Sequence, residues 1–365
     1  MFSIKNITGV LNQLAPPGLQ EGYDNSGLIT GYPDQPVTGA LICIDVTEEV
    51  VSEAVNLGYN LIISHHPPVF SGMKRFTGAS LSERVVVQAI KHDIALFAIH
   101  TNLDSVSGGV SGLLAGKLGL INPAILVPRT EQLRKLVCFM PPDYAGRVAD
   151  AIFKAGAGQI GKYDECSFQG QGTGTFRAGP GTNPFVGIPG EPSRETEIRL
   201  ETIVPEHLTG SVIQAMKEAH PYEEVAYDLY PLINENPIIG FGILGELPSP
   251  ESIPDFLTKV KSVLGLPMIR HSKFTGSRIH RVAVCGGSGS SFISRAVLAG
   301  CDCYLTADIK YHQWFDVPET LMLADIGHYE SEQFAMIGIY DSLIEKLPKF
   351  AVRLTEVNTN PINYF

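Results

Sequence analysis

Two adjacent prolines, Pro67 and Pro68, follow directly on two adjacent histidines, His65 and His66, and these close the apolar run Leu61-Ile62-Ile63. Proline has no backbone N–H and a fixed φ, so neither a strand ladder nor a helix continues through such a pair. The apolar run therefore reads as a strand that must stop, with the histidines in the loop at its end. In an open α/β sheet, ligands gather at that place. A stiff, proline-bounded loop lets both imidazoles aim at one point or at two neighbouring metals. A solvated turn with incidental histidines is the plain alternative.

The same grammar recurs twice. In ALFAIHTNLD an apolar run ends at His100, with Asp104 four residues on; in LMLADIGHYESE a run ends before His328, with Glu332 four residues on. If the chain turns helical at Gly327, His328 and Glu332 share one face, at metal-ligand spacing. Three strand ends thus offer His65, His66, His100, Asp104, His328 and Glu332. Imidazole with carboxylate and no cysteine suits zinc, iron, manganese or cobalt. Six such groups exceed the needs of one tetrahedral zinc, which makes a two-metal site the natural expectation.

A chain of 365 residues with 44% apolar content suits two or three domains with ample cores. A net charge of −11, from 38 acidic and 27 basic residues, argues against nucleic acid as a partner. Six cysteines, none in a CxxC pair, sit mostly in apolar runs and read as buried thiols of a reducing compartment. No signal peptide and no bilayer-spanning apolar run are recognisable, so a cytoplasmic protein without membrane attachment is expected.

Along the chain, Ser3 to Leu14 has helical periodicity, and Asp24-Asn25-Ser26-Gly27 reads as a turn into a strand. Ala40 to Val46 is a strand, Thr47 caps a helix carrying Glu48 and Glu49 in its first turn, and Gly58 ends that helix before the next strand. This is a βαβ unit with parallel strands. Lys74 and Arg75 follow the histidines and could meet an anionic substrate or simply be solvated. The far end repeats the plan: aligning Cys43 with Cys285 puts Gly58 on Gly300 without a gap, and His66 on Asp308. His100-x3-Asp104 likewise matches His328-x3-Glu332. Two related α/β half-domains facing each other, with the site between their strand ends, are the expected arrangement. The loop Gly286 to Ser291, including Gly287 and Ser288, could cradle a phosphate on its amides or be a tight crossover. Lys310 and His312 follow the next strand end and are expected to line the same cleft.

The middle follows βαββαβ order, the ferredoxin-like pattern, with strands at Arg134 to Met140, Asp164 to Phe168, Glu195 to Val204 and Val225 to Leu232. The Gly/Pro-rich run Gly170 to Gly190 reads as a long mobile loop. His220-Pro221-Tyr222-Glu223-Glu224 could bind metal or substrate, and reads more readily as a polar loop with one packed tyrosine. The expected organisation is an outer domain of residues 1–126 plus 233–365, with residues 127–232 inserted.

Together IISHHPPVF, AIHTNLD, TADIKYH and GHYESE, with the Asp24 to Leu28 turn, resemble the NIF-three-like dinuclear metal-centre proteins, which go by the name GTP cyclohydrolase I type 2 homologues. The GAGQIGKY, GTGTFR and HPYEE segments of the insert are similar to the PII/CutA-like domain of longer bacterial members. The resemblance implies metal ligands at His65, His66, Asp104, His328 and Glu332, with His100 near the site, and a ring-shaped homohexamer. The expected activity is metal-dependent hydrolysis using two divalent ions per chain, zinc first, with iron, manganese or cobalt as alternatives. The expected substrate is a nucleotide or related phosphate compound, GTP among them. His100 or His312 would move a proton, and Lys74, Arg75, Lys310 or the Gly287-Ser288 loop would hold phosphate. The rival expectation is a non-catalytic, metal-stabilised hexameric scaffold or regulator with a ligand-sensing insert.

Overall fold

The computed structural model describes residues 2–365. Two compact units emerge, one running to Pro128 and resuming at Ile238, the other Arg129–Pro237. The first opens with α1 (Ile4–Leu14), β1 (Gly27–Thr30), β2 (Ala40–Cys43), α2 (Glu48–Leu57), β3 (Leu61–Ser64), α3 (Leu81–Lys91), β4 (Ala95–Ala98), α4 (Thr101–Asp104), α5 (Val110–Lys117) and β5 (Ile121–Arg129). The second holds β6 (Leu133–Met140), α6 (Ala145–Lys154), β7 (Ser167–Arg177), β8 (Pro192–Pro205), α7 (Thr209–Ala219) and β9 (Tyr227–Leu232). The first resumes with β10 (Asn236–Ser252), α8 (Ile253–Leu264), β11 (Arg270–His271), β12 (Arg278–Val284), α9 (Ile293–Leu298), β13 (Cys303–Thr306), β14 (Met322–Asp325), α10 (His328–Glu332), α11 (Phe334–Lys346) and β15 (Val352–Leu354).

Strands β2, β3 and β4 are parallel neighbours in a sheet of order β1-β4-β3-β2-β15, and every residue of the three is buried. Their uninterrupted apolar reading follows, because helices cover both faces of a parallel sheet. Ile42, Ile63 and Phe97 pack with Ile4, Ile7 and Leu11 of α1 and Ile339 of α11. Their alternates Leu41, Ile62 and Leu96 pack with Val50 of α2 and Val85 of α3. Burying one such side chain contributes about 1.5–3 kcal/mol. Helix α2 starts where Thr47 accepts the Val50 N–H at 3.3 Å and stops at Gly58, whose φ of 69° takes the chain out of the helix at no steric cost.

The second sheet, β11-β14-β13-β12-β10-β5, also has a parallel core, β12-β13-β14. In both sheets the third parallel strand carries an antiparallel edge strand, β1 on β4 and β11 on β14. Phe256, Val260 and Leu264 of α8 close one face over Val282, Val284 and Leu305. The two halves are thus related α/β layers, as the internal alignment predicts. Strands β5 and β10 and helices α8 and α11 lie outside the sequence reading.

The second unit is a ferredoxin-like fold: strand order β7-β8-β6-β9, all neighbours antiparallel, with α6 and α7 packed over Leu136, Cys138 and Leu200. One expectation is corrected here. The Gly/Pro-rich run is not all loop, because its first part, through Arg177, lies in β7 and pairs with β8 residue by residue as far as Arg177 with Pro192. Ladder hydrogen bonds come from the backbone, so Gly170, Gly172 and Gly174 do not prevent pairing.

Candidate metal centre

Although prolines follow them, the His65 and His66 amides extend the ladder beyond β3, donating to Cys43 O at 3.1 Å and Ile44 O at 2.9 Å. This fixes the backbone from which both imidazoles project. His100 precedes α4, whose last residue is Asp104. Gly327, with φ of 76°, turns the chain from β14 into α10, one short turn that sets His328 and Glu332 on the same face.

These ends converge. Glu332 Oε2 stands 3.0 Å from His66 Nε2 and 3.2 Å from His328 Nε2, and the two nitrogens are 3.3 Å apart. On the other side, His65 Nε2 lies 3.8 Å from Glu332 Oε1 and 3.7 Å from Asp104 Oδ1. His100 groups with His65 and His66. Donors about 2.0–2.1 Å from a tetrahedral ion stand about 3.3 Å from one another. The triangle of His66, His328 and Glu332 has those dimensions. His65 Nε2 and Glu332 Oε2 are buried and make no hydrogen bond, although each faces several polar atoms. Such atoms carry a cost unless something coordinates them. The donor chemistry and spacing fit a divalent cation.

All four imidazoles are held by Nδ1, leaving Nε2 for the centre. The Nδ1 partners are Ile99 O for His65 at 2.9 Å, Asp45 Oδ1 for His66 at 2.8 Å, Asp24 Oδ1 for His100 at 2.8 Å and Asp308 Oδ2 for His328 at 2.6 Å. A carbonyl or carboxylate behind a metal-ligating histidine sets its tautomer and raises its basicity. Asp24, Asp45 and Asp308 were missed in the sequence. Asp24 read as a turn residue, yet its carboxylate also accepts from the Thr101 amide at 3.0 Å and from the Thr101 hydroxyl. Asp45 follows β2 and Asp308 follows β13, so the strand-end rule that selected the histidines could have found both.

The local electrostatics agree. Burial disfavours the imidazolium of His66, but the hydrogen bond to Asp45 and the facing carboxylate of Glu332 outweigh it and raise the group to about 10. The same opposition, with Asp308 replacing Asp45, raises His328 to about 9. Burial pushes Glu332 up, and the facing imidazoles of His328, His65 and His66 pull it well below the ordinary carboxylate range. For Asp24, burial is likewise outweighed, by His100 and Thr101, and the group is lowered.

A cleft of about 790 Å³ opens on this cluster, lined by His66, His100, Asp104, His328 and Glu332, with Tyr23, Phe70, Phe241 and Phe292 as aromatic walls and Ser288 at its edge. Phe241 and Phe292 stack 5.6 Å apart. Four expected residues are elsewhere. Lys74 and Arg75 are exposed in the loop between β3 and α3 and do not line the cleft. Lys310 and His312 are also exposed and outside it, since the chain turns at Asp308, with φ of 56°, after β13. Nor is the Gly286 to Ser291 loop an open cradle: the amides of Gly286, Gly287 and Gly289 donate to Ser111, Ser331 and Thr306 hydroxyls at 3.3, 2.9 and 2.9 Å. It is a tight crossover, and Gly287 leaves room for Glu332.

The profile of the Duf34/NIF3 family (NGG1p interacting factor 3) matches residues 2–361. A protein of Halalkalibacterium halodurans named GTP cyclohydrolase 1 type 2 homolog is 38% identical, over 98% of this chain and 96% of its own. A Bacillus subtilis protein of the same name is 36% identical, over 99% and 98%. The crystal structure of a Bacillus cereus protein related to NIF3 superposes with a TM-score of 0.86 at 36% identity, over 100% of this chain and 99% of that one.

Proposed function

Because the chain belongs to the Duf34/NIF3 family, we propose that its donor cluster holds two divalent metal ions and that the cleft above them hydrolyses a nucleotide or related phosphate compound. One observation carries the reading: the two carboxylate oxygens of Glu332 face different partners, Oε2 toward His66 and His328, Oε1 toward His65. Glu332 would bridge, with His66 and His328 completing one position and His65 and Asp104 the other. Zinc suits this donor set, with iron, manganese or cobalt also compatible. A pair of divalent ions supplies Lewis acidity and activates water for hydrolysis near neutral pH.

The chain's own residues would do the rest. His100, its Nδ1 held by Asp24, presents Nε2 to the cleft and would take or return a proton. Tyr23, Phe70 and Phe292 would cover the flat part of a substrate such as a nucleobase, and Ser288 would contact it at the rim. No lysine or arginine lines the cleft among the described residues, so the substrate's negative charge would be met at the metal positions. The hydrolysis of a panel of nucleotides by metal-loaded protein tests this. Turnover that disappears with chelator and returns with zinc supports it; no turnover of any member at full metal loading would remove the catalytic part.

A metal-stabilised scaffold or regulator is the second reading, favoured by the span of the cluster. His66 and His328 come from opposite halves, 262 residues apart. An ion between them would tie the halves together. In that case metal raises the melting temperature without turnover. A homohexamer is part of the proposal in either reading: Tyr311 and Phe315 form an exposed ring pair 5.4 Å apart, the kind of surface that association covers. Sedimentation analysis would show the assembly. Among the described residues, no helix is long and apolar enough to cross a membrane.

A further inference from the structure

The ferredoxin-like unit has its own cavity of about 440 Å³, on the sheet face away from its helices. Leu136, Cys138 and Leu200 point into the core under α6 and α7, so Phe139 and Glu197, one position out of phase, point to the other face. Two segments complete the chamber: Gly174 to Gly179 with Phe185, and Tyr222 to Glu224. These belong to the GTGTFR and HPYEE motifs, to which the metal centre assigns no role.

We infer that this cavity binds a small organic cation, an ammonium or guanidinium compound. Its volume lies within the ordinary range for a small-molecule site, roughly 300–1,000 Å³. Its walls include the rings of Phe176, Phe185 and Tyr222, with Phe185 and Tyr222 6.0 Å apart. Aromatic faces attract cations, the more strongly as water is removed. Three carboxylates, Glu197, Glu223 and Glu224, line the chamber against one guanidinium, Arg177, so an anionic ligand meets net repulsion.

Glu197 is built in. Its Oε1 accepts the Tyr222 hydroxyl at 3.1 Å, and a Cβ on Gly174 would lie 2.1 Å from its Oε2. Glycine at 174 is what lets this carboxylate lie across β7. The Tyr222 end is fixed as well, because the buried His220 holds Phe139 O through Nε2 at 2.9 Å and takes the Tyr222 amide on Nδ1 at 3.1 Å. The site differs from the metal centre in kind: among the described residues, none of the clusters with metal-ligand spacing contains these glutamates. Dispersed carboxylates with aromatic walls suit a delocalised or alkylated cation better than a bare divalent ion.

Calorimetric titration of the metal-loaded full chain with agmatine and with choline tests this. At least one should bind saturably, one per chain. Glu197→Gln and Gly174→Ala should each weaken it tenfold or more, with unchanged melting temperature and metal content; where Gly174→Ala fails to fold, Glu197→Gln decides alone. The inference is overturned by no saturable binding of either compound, by affinity indifferent to Glu197→Gln, or by stoichiometric displacement of the cation by calcium or by ATP.

Discussion

A Cβ on Gly287 would lie 2.1 Å from Oε1 of Glu332, and Gly287 itself has a φ of 61°. Both facts oppose a side chain there, and they tie the crossover after β12 to the centre of the donor cluster. Gly287→Ala should therefore cost about 1–2 kcal/mol through the left-handed backbone alone. It should also displace Glu332 and lower metal content, measured on the purified variant. Full metal content with only a lowered melting temperature would leave Glu332 independent of Gly287.

The carboxylates behind the histidines make a separate prediction. Asp45→Asn keeps the shape of the His66 partner but removes its charge, and Asp308→Asn does the same for His328. Each should weaken zinc binding about 10–100-fold without unfolding the chain. Competition with a chromophoric chelator measures it, and wild-type affinity in both variants would mean that the charge of these aspartates is immaterial.

Proton release follows from the raised imidazoles. Metal-free, His66 at about 10 and His328 at about 9 carry protons at pH 8, whereas ligation at Nε2 needs both neutral. Loading at pH 8 should release protons, and affinity should rise with pH up to about 10. The sign for the metal-free fold is opposite. These pKa values exceed the ordinary 6.5, so the ion pairs with Glu332 stabilise fully below 6.5 and fade as pH climbs through 9 to 10. Titration calorimetry in buffers of differing ionisation enthalpy counts the protons; zero release at pH 8 would refute charged histidines in the metal-free state.

Leu133 and Leu232, at the two ends of the ferredoxin-like unit, are paired across β6 and β9. The chain therefore leaves and returns one strand spacing apart, and loop closure costs little there. Replacing residues 133–232 with a short Gly/Ser linker should leave the remainder folded and able to take up metal. A soluble but metal-free deletion protein would show that the insert helps to build the centre.

Much of this was legible in the chain. Strands β3, β4 and β14 are buried along their whole length, so each reads as an apolar run, and the histidines stand where those runs stop. What was not legible has physical causes. The aspartates that orient the histidines lie 21, 76 and 20 residues from their partners, a relation that only the fold creates. Lys310 and His312 follow a strand end in sequence, but the left-handed turn at Asp308 carries them away. The part of β7 beyond Phe168 reads as loop because of its glycines, while its pairing rests on backbone groups that any residue supplies.

The proposed centre would hold two ions, with Glu332 facing both positions. Elemental analysis of full-length protein prepared without chelator and saturated with zinc measures it directly, beside Glu332→Gln treated the same way. Close to two ions per chain are predicted for the native protein, with at least one lost in the variant. One ion or none in the native protein, or two retained in Glu332→Gln, would contradict it.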